Sequence, residues 1–280
     1  MSTRDDSGAP LLDVRDVNVV YRGSRWRSPS FHALHDVSMQ IRAGETVGLV
    51  GESGSGKTTL GRALLGLAPI SAGTVTFDGA DITRANRRAR RALSRDIQVV
   101  FQDPYSSLNP AMSVESILAE PLRAQGVPGA EASARIGQLL GQIGLEADAG
   151  RRYPREFSGG QRQRIAIARA LALKPRLIVC DEPVSALDLS TQARILDLLI
   201  DIQEQTGVAY LFISHDLSVV RYICHRVAVM LKGRIVETGD GDTVTSRPRH
   251  AYTNRLLMAS PIPDPARQAE RRRQYAALSS

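Results

Sequence analysis

The chain has 280 residues, of which 42% are apolar and only 5% aromatic, enough to fill a sizeable core and too many to leave the chain unfolded. A formal charge of +7 and a sequence pI near 9.8 favour acidic partners, whether nucleotides, nucleic acid or an anionic membrane surface. Two cysteines, Cys180 and Cys224, stand outside any CxxC pair, so neither a zinc framework nor a disulfide scaffold is indicated.

The opening residues 1–10 are polar, without the apolar core of a signal peptide, and are expected to be a flexible lead-in. LLDVRDVNVVY (11–21) and HALHDVSMQI (32–41) alternate as half-buried strands, with loop-like RGSRWRSPS between them. After a turn at Arg42-Ala43-Gly44 comes ETVGLV (45–50), a short apolar run that enters a glycine-rich loop, and TVTFDG (74–79) reads as a further strand and turn. Alternating strands clustered at this end predict an antiparallel sheet beside a parallel one.

From about 104 to 160 the apolar spacing becomes three and four residues, as in SVESILAEPLRA and EASARIGQLLGQIGL, which predicts an inserted helical subdomain. RLIVCD (176–181) and VAYLFIS (208–214) return to buried parallel-type strands, separated by the helix of STQARILDLLIDIQEQ. RVAVML and RIVETG form a hairpin through Lys232-Gly233, and a Pro- and Arg-containing tail occupies 241–280. No window approaches the run of about 18 apolar residues that a membrane span requires.

GESGSGKT, from Gly51 to Thr58, fits the spacing GxxxxGK[ST] between an apolar strand and a helix. Its glycines let backbone amides turn toward phosphate oxygens at a positive helix end. Lys57 is placed to reach the β- and γ-phosphates, and the Thr58 hydroxyl to ligate Mg²⁺. LIVCDE ends a strand in Asp181, at the sheet edge where ligands of α/β proteins bind, so Asp181 is expected to hold Mg²⁺ and Glu182 to polarise the attacking water. Gln102, in VVFQDP, and His215, in FISHDL, also end strands, and alone each would read as a structural residue. FSGGQRQRIAIARA (157–170) is a second anion-ready helix start, in which Ser158 can equally serve as a simple cap.

Taken in order, the P-loop, Gln102, Ser158-Gly159-Gly160-Gln161, Asp181-Glu182, SALD (185–188) and His215 resemble the ATP-binding-cassette ATPases over about residues 11–240. The resemblance implies an α/β fold: a P-loop NTPase core with a mixed, largely parallel sheet, an N-terminal antiparallel β-subdomain and an inserted helical subdomain. It implies ATP and Mg²⁺ as cofactors, with catalytic Glu182, His215 and Gln102. Nucleotide contacts are implied for Tyr21 (stacking on adenine), Gly51, Ser53, Gly54, Ser55, Gly56, Lys57, Thr58 and Thr59, and metal contacts for Thr58, Gln102 and Asp181. In this family the Ser158, Gly159, Gly160 and Gln161 turn faces the ATP of a second subunit, identical or paralogous, and Asp188 supports that contact. Phe157 stands where the family more often has leucine.

FQDPYSSLNPAMSV and the tail PRHAYTNRLLMASPIPDP (248–265) are similar to the subfamily that serves oligopeptide, dipeptide and nickel importers. That resemblance implies permease subunits as partners, an extracytoplasmic solute-binding protein acting indirectly, and a peripheral position on the cytoplasmic face of the membrane. No cysteine follows Cys224, so the iron–sulfur cluster of some members is not expected. The alternative is a soluble cassette ATPase acting on nucleic acid, for which the basic run NRRARRALSR (86–95) is the main feature. On a helix that run is more simply a solvated face, and nucleic acid is not expected as a partner.

Overall fold

A computed structural model describes residues 9–22 and 30–259. The expected lead-in up to residue 8, most of the RGSRWRSPS loop and the tail from 260 lie outside the described residues. The chain divides into two units, one containing the residues up to Arg84 together with those from Phe212 onward, the other Ala85–Leu211.

The first unit holds the antiparallel sheet. Leu12–Tyr21 lies between Phe31–Ile41 and Ala72–Phe77, with the short Ala80–Asp81 beyond the latter. Strict alternation would bury every second residue, yet the buried apolar set is Leu12, Val14, Val17 and Val19. The skipped beat is a bulge at Asp16, whose φ of 48° lies in the left-handed region, and it returns the later valines to the core face. Elsewhere in this unit Thr46–Val50 runs parallel to Arg226–Leu231, which in turn pairs antiparallel with Arg234–Asp240 across Lys232-Gly233. This part of the sheet is therefore mixed. All five residues of Thr46–Val50 are buried, which is why that strand reads as an unbroken apolar run.

Helix Leu217–Ile223 packs directly on that strand. A Cβ placed on Gly48 would stand 2.6 Å from Val220 Cγ1 and 2.9 Å from Cys224 Sγ, so the strand can approach the helix only where it carries no side chain. Helix Lys57–Leu64 follows the glycine-rich loop, and the tail contributes helices Gly241–Ser246 and Ala251–Ala259.

In the second unit Ile97–Val100 and Leu177–Asp181 pair in parallel, Val100 opposite Cys180. Burial pushes the Cys180 thiol far above its ordinary range, so this cysteine is an inert core residue. The helical stretch comprises Pro104–Ser107, Val114–Ala124 and Gly129–Gln142, followed by two short 3-10 turns, Ala147–Arg151 and Pro154–Glu156. Helices Gly159–Leu171 and Leu189–Thr206 flank the Asp181 strand in sequence, and Ala209–Ser214 carries the chain back into the first unit. The basic run forms helix Arg87–Leu93, capped by Asn86, with Arg91 donating to the Ala124 carbonyl.

Gly48→Ala should lower the unfolding free energy by about 1–3 kcal/mol through overpacking. Gly137→Ala, in the interior of Gly129–Gln142 where a Cβ meets open space, should raise it by about 0.5–1 kcal/mol. Denaturant titration of the two variants against the parent chain measures both shifts.

Candidate nucleotide-binding site

In the first unit the strand Thr46–Val50 delivers the chain into the loop Gly51–Gly56. Gly51 passes so close to the Met230 carbonyl that a Cβ would stand 2.2 Å from it. Gly54 (φ 79°) and Gly56 (φ 111°) hold backbone conformations that a side chain would strain; around Gly54 a Cβ meets nothing within 4 Å, whereas Gly56 is pressed against Leu34 and the Ala33 carbonyl of strand Phe31–Ile41. Gly56 ends the loop as the N-cap of helix Lys57–Leu64, which carries no acidic residue in its first turn.

Lys57 is only 5% exposed, and its Nζ donates to the carbonyls of Gly51 at 2.7 Å and Glu52 at 2.9 Å. A buried ammonium is tolerable only when paired in this way. The loop is fixed further by Ser55 N donating to the Glu52 carbonyl at 3.2 Å and Gly233 N donating to the Ser55 carbonyl at 2.8 Å. Ser55 Oγ is buried without a hydrogen-bond partner in the structure. An orphaned hydroxyl, a lysine and a positive helix end gathered on one glycine-rich loop form a donor set that fits phosphate oxygens. Ser53 and Gly54 are exposed, and Thr58 and Thr59 sit half-buried on the first helical turn. The Thr58 hydroxyl is the hard oxygen donor that Mg²⁺ prefers, as is the Asp181 carboxylate. Among the described residues no cluster of three or more His, Cys, Asp or Glu suggests a different metal.

Tyr21 ends its strand opposite Phe31, half-buried, and Ala33 and Leu34, further along the partner strand, crowd Gly56 together with Met230. His215 is exposed between strand Ala209–Ser214 and helix Leu217–Ile223, whose cap Asp216 accepts from Ser218 N at 2.8 Å.

The second unit holds the remaining candidates. Gln102 is exposed just after strand Ile97–Val100, between Phe101 and Asp103, and Asp103 caps Pro104–Ser107. This segment is tied to helix Gly159–Leu171 by two arginines that sequence reading missed. Arg162 lies over the Tyr105 ring at 4.0 Å, and Arg169 donates to the Ser107 carbonyl. Phe157, the departure from the family pattern, is buried with Arg152 stacked 4.3 Å above its ring.

Ser158 caps Gly159–Leu171 in a reciprocal pair, its Oγ accepting from Gln161 N at 3.3 Å while Gln161 Oε1 accepts from Ser158 N at 2.9 Å. The two glycines behind it differ. A Cβ on Gly159 would make ordinary contact with Leu187 at 3.6 Å, whereas one on Gly160 would collide with Thr191 Cγ2 at 2.4 Å. Thr191 is itself held by Asp188, which accepts from its amide at 2.9 Å and its hydroxyl at 2.8 Å, and from the Ser190 hydroxyl at 2.7 Å. These donors, Ser190 foremost, hold the Asp188 carboxyl well below the usual carboxylate range. The Ser158 turn and the SALD turn, distant in sequence, are thus one packed feature.

Asp181 closes strand Leu177–Asp181, half-buried. Glu182 follows with φ 50°, a left-handed conformation that costs a non-glycine residue about 1–3 kcal/mol. Its carbonyl accepts from Ser185 Oγ at 3.1 Å and Ser185 N at 3.3 Å, which holds the turn.

A glycine-rich loop running into a lysine-headed helix, on a mixed sheet with an antiparallel neighbour, defines a P-loop nucleotide-binding protein. The profile of the ABC transporter family matches residues 34–185, and the chain belongs to that family. It is 53% identical over 236 residues to the oligopeptide transport ATP-binding protein OppD of Mycobacterium tuberculosis, covering 84% of this chain and 39% of that protein. It is 52% identical over 274 residues to the glutathione import ATP-binding protein GsiA of Escherichia coli K12, covering 95% of this chain and 43% of that protein. The chain thus spans about two fifths of the length of these curated relatives. Among solved structures, cbiO1 from Clostridium perfringens, part of the ABC transporter complex cbiONQ, superposes with a TM-score of 0.76 at 30% identity, over 85% of this chain and 91% of that one. The ATP-binding cassette MJ0796, in a dimeric post-hydrolysis state bound to ADP and Pi, gives 0.72 at 29% identity, over 82% and 98%.

Gly160→Ala should cost about 1–3 kcal/mol of stability by driving Thr191 off Asp188. Thr191→Ser removes the obstructing methyl but keeps the hydroxyl, so the double variant should recover most of that loss. A double-mutant cycle by chemical denaturation measures the coupling.

Proposed function

We propose that this chain is the ATP-hydrolysing subunit of an ABC importer for di- or oligopeptides or a related small solute. The observation that carries the reading is the phosphate cradle of Gly51–Thr58 in a chain that also presents a capped, glycine-bearing Ser158 turn. The similarity to OppD and GsiA, which serve oligopeptide transport and glutathione import, supports the solute class.

In this reading the loop amides and Lys57 bind the triphosphate, and Tyr21 stacks on the adenine. Thr58, Asp181 and Gln102 would hold Mg²⁺, which neutralises charge on the β- and γ-phosphate oxygens when bound. Glu182 takes the proton of the attacking water, and its constrained turn fixes where its carboxylate can point. His215 orients the terminal phosphate by hydrogen bonding. The Ser158 turn of a second subunit, identical or paralogous, adds further donors to the same γ-phosphate, so ATP joins the two and hydrolysis releases them. Leu189, 84% exposed directly after Asp188, is an apolar side chain suited to that subunit contact.

Among the described residues no helix is long and apolar enough to cross a membrane, so transport calls for separate permease subunits. Phe101 (37% exposed) and Tyr105 (62% exposed) stand on either side of Gln102, and Arg162 connects Tyr105 to the Ser158 helix. A permease helix seated there would feel the Gln102 segment and the Ser158 turn together. This reading puts the chain peripherally on the cytoplasmic face, with a solute-binding protein acting from the other side. The nucleic-acid alternative finds little in the fold, since Arg91 of the basic run is already committed to the Ala124 carbonyl.

Glu182→Gln should retain ATP binding while turnover falls by about 10²–10⁴-fold, the usual range for a general base. Single-turnover hydrolysis beside an equilibrium nucleotide titration reads both, and normal turnover would remove Glu182 from this role. Affinity isolation of the tagged chain should recover permease subunits. Recovery of salt-sensitive DNA complexes without membrane protein would favour the alternative.

A further inference from the structure

Glu52, the second residue of the phosphate loop, is fixed from both sides. Its carbonyl accepts from Lys57 Nζ at 2.9 Å and from Ser55 N at 3.2 Å. Its N–H donates at 2.9 Å to the phenol oxygen of Tyr252, a residue of the C-terminal helix Ala251–Ala259 that is only 2% exposed. The phenol reaches the loop because the segment before it is stapled to the hairpin. Glu237, on strand Arg234–Asp240, accepts from Arg249 N at 2.8 Å and His250 N at 3.0 Å, and His250 Nδ1 accepts from Tyr252 N at 3.1 Å.

These bonds close a circuit. Strand Thr46–Val50 feeds the loop and pairs with Arg226–Leu231, which pairs with the strand bearing Glu237. Glu237 holds the 249–252 segment, and Tyr252 returns to the loop at Glu52. A phosphate cradle needs each amide committed, either inward to the ligand or outward to the protein. Without the phenol the Glu52 amide has lost its internal acceptor, and the loop gains alternatives that compete with the phosphate-ready form.

We infer that Tyr252 is a positioning residue for the phosphate loop, and that the C-terminal segment 249–252 is thereby part of the nucleotide site. This rests on the ATP-binding reading of the loop. A consequence for the tail is that whatever displaces the 249–252 segment loosens the grip on nucleotide.

The test is calorimetric titration of the full chain, in Mg²⁺, with a non-hydrolysable ATP analogue. Tyr252→Phe keeps the ring and removes the acceptor, so the dissociation constant should rise about 5- to 10-fold, the equivalent of one neutral hydrogen bond, with an unchanged number of binding sites. An unchanged dissociation constant overturns the inference. So does a reduced number of sites at unchanged affinity, which would mark a residue that matters only for folding. Hydrogen exchange on the unsubstituted chain needs no variant: the Glu52 amide should be protected like the amides of Thr46–Val50, and exchange at the rate of an open loop overturns the inference equally. If the parent chain itself fails to bind the analogue, the nucleotide reading falls, whereas a binding parent with an indifferent Tyr252→Phe variant sinks only the role of Tyr252.

Discussion

The placement of one ammonium group organises the first unit. Lys57 sits at the first position of its helix and reaches back across the loop to the carbonyls of Gly51 and Glu52. A buried lysine charge is costly unless its donors are satisfied, and here the loop backbone satisfies them. The same bonds hold the carbonyls of Gly51 and Glu52 toward the lysine. The loop conformation, the orphaned Ser55 hydroxyl and the anchoring of Glu52 follow from this arrangement. It also requires backbone to pass close to backbone, as Gly51 does beside the Met230 carbonyl and Gly56 beside that of Ala33.

The second unit uses a different device. Ser158 and Gln161 satisfy one another at the helix start, so the turn holds its shape without a ligand. Asp188 does the same at the next helix and also anchors Thr191, whose methyl group fills the space that a side chain on Gly160 would occupy. The second glycine is thus needed for packing within the chain, whereas Gly159 has room for a methyl group. That asymmetry separates two reasons for a Gly-Gly pair that the sequence presents as one. Only at Gly159 is the requirement left for something outside the chain to explain.

The phosphate loop was legible because its chemistry is local: glycines, lysine and threonine at fixed spacing between a strand and a helix. The strands were legible from alternation, with one gap. LDVRDVNV alternates through Val14 and resumes at Val17, and only the bulge at Asp16 explains how both halves face the core. The Ser158 turn could be located but its neighbour could not, since nothing in the spacing pairs Gly160 with Thr191. Asp188, expected at a subunit contact, also proves to be the cap that holds Thr191. Tyr252 lay within the tail stretch that resembles the importer subfamily, but its role carried no signal, because a lone tyrosine has no periodicity and its partner is a main-chain N–H remote in sequence. Arg162 and Arg169 were hidden for a similar reason, as polar-face arginines of an amphipathic helix look like solvated charge until their acceptors are seen.

Strain at Glu182 fits the same division. Satisfied caps and paired amides are stable features that any helix end would keep, but a glutamate in the left-handed region is unfavourable on local grounds. It persists because the Ser185 amide and hydroxyl hold its carbonyl and the buried strand Leu177–Asp181 fixes the residue before it. The strain sets the direction in which the side chain leaves the backbone, and a relaxed backbone would send it elsewhere. If Glu182 is the base proposed above, a fixed departure angle would serve a carboxylate that has to meet a single water. In that proposal the Ser185 bonds that hold the Glu182 turn would be positioning elements for the carboxylate.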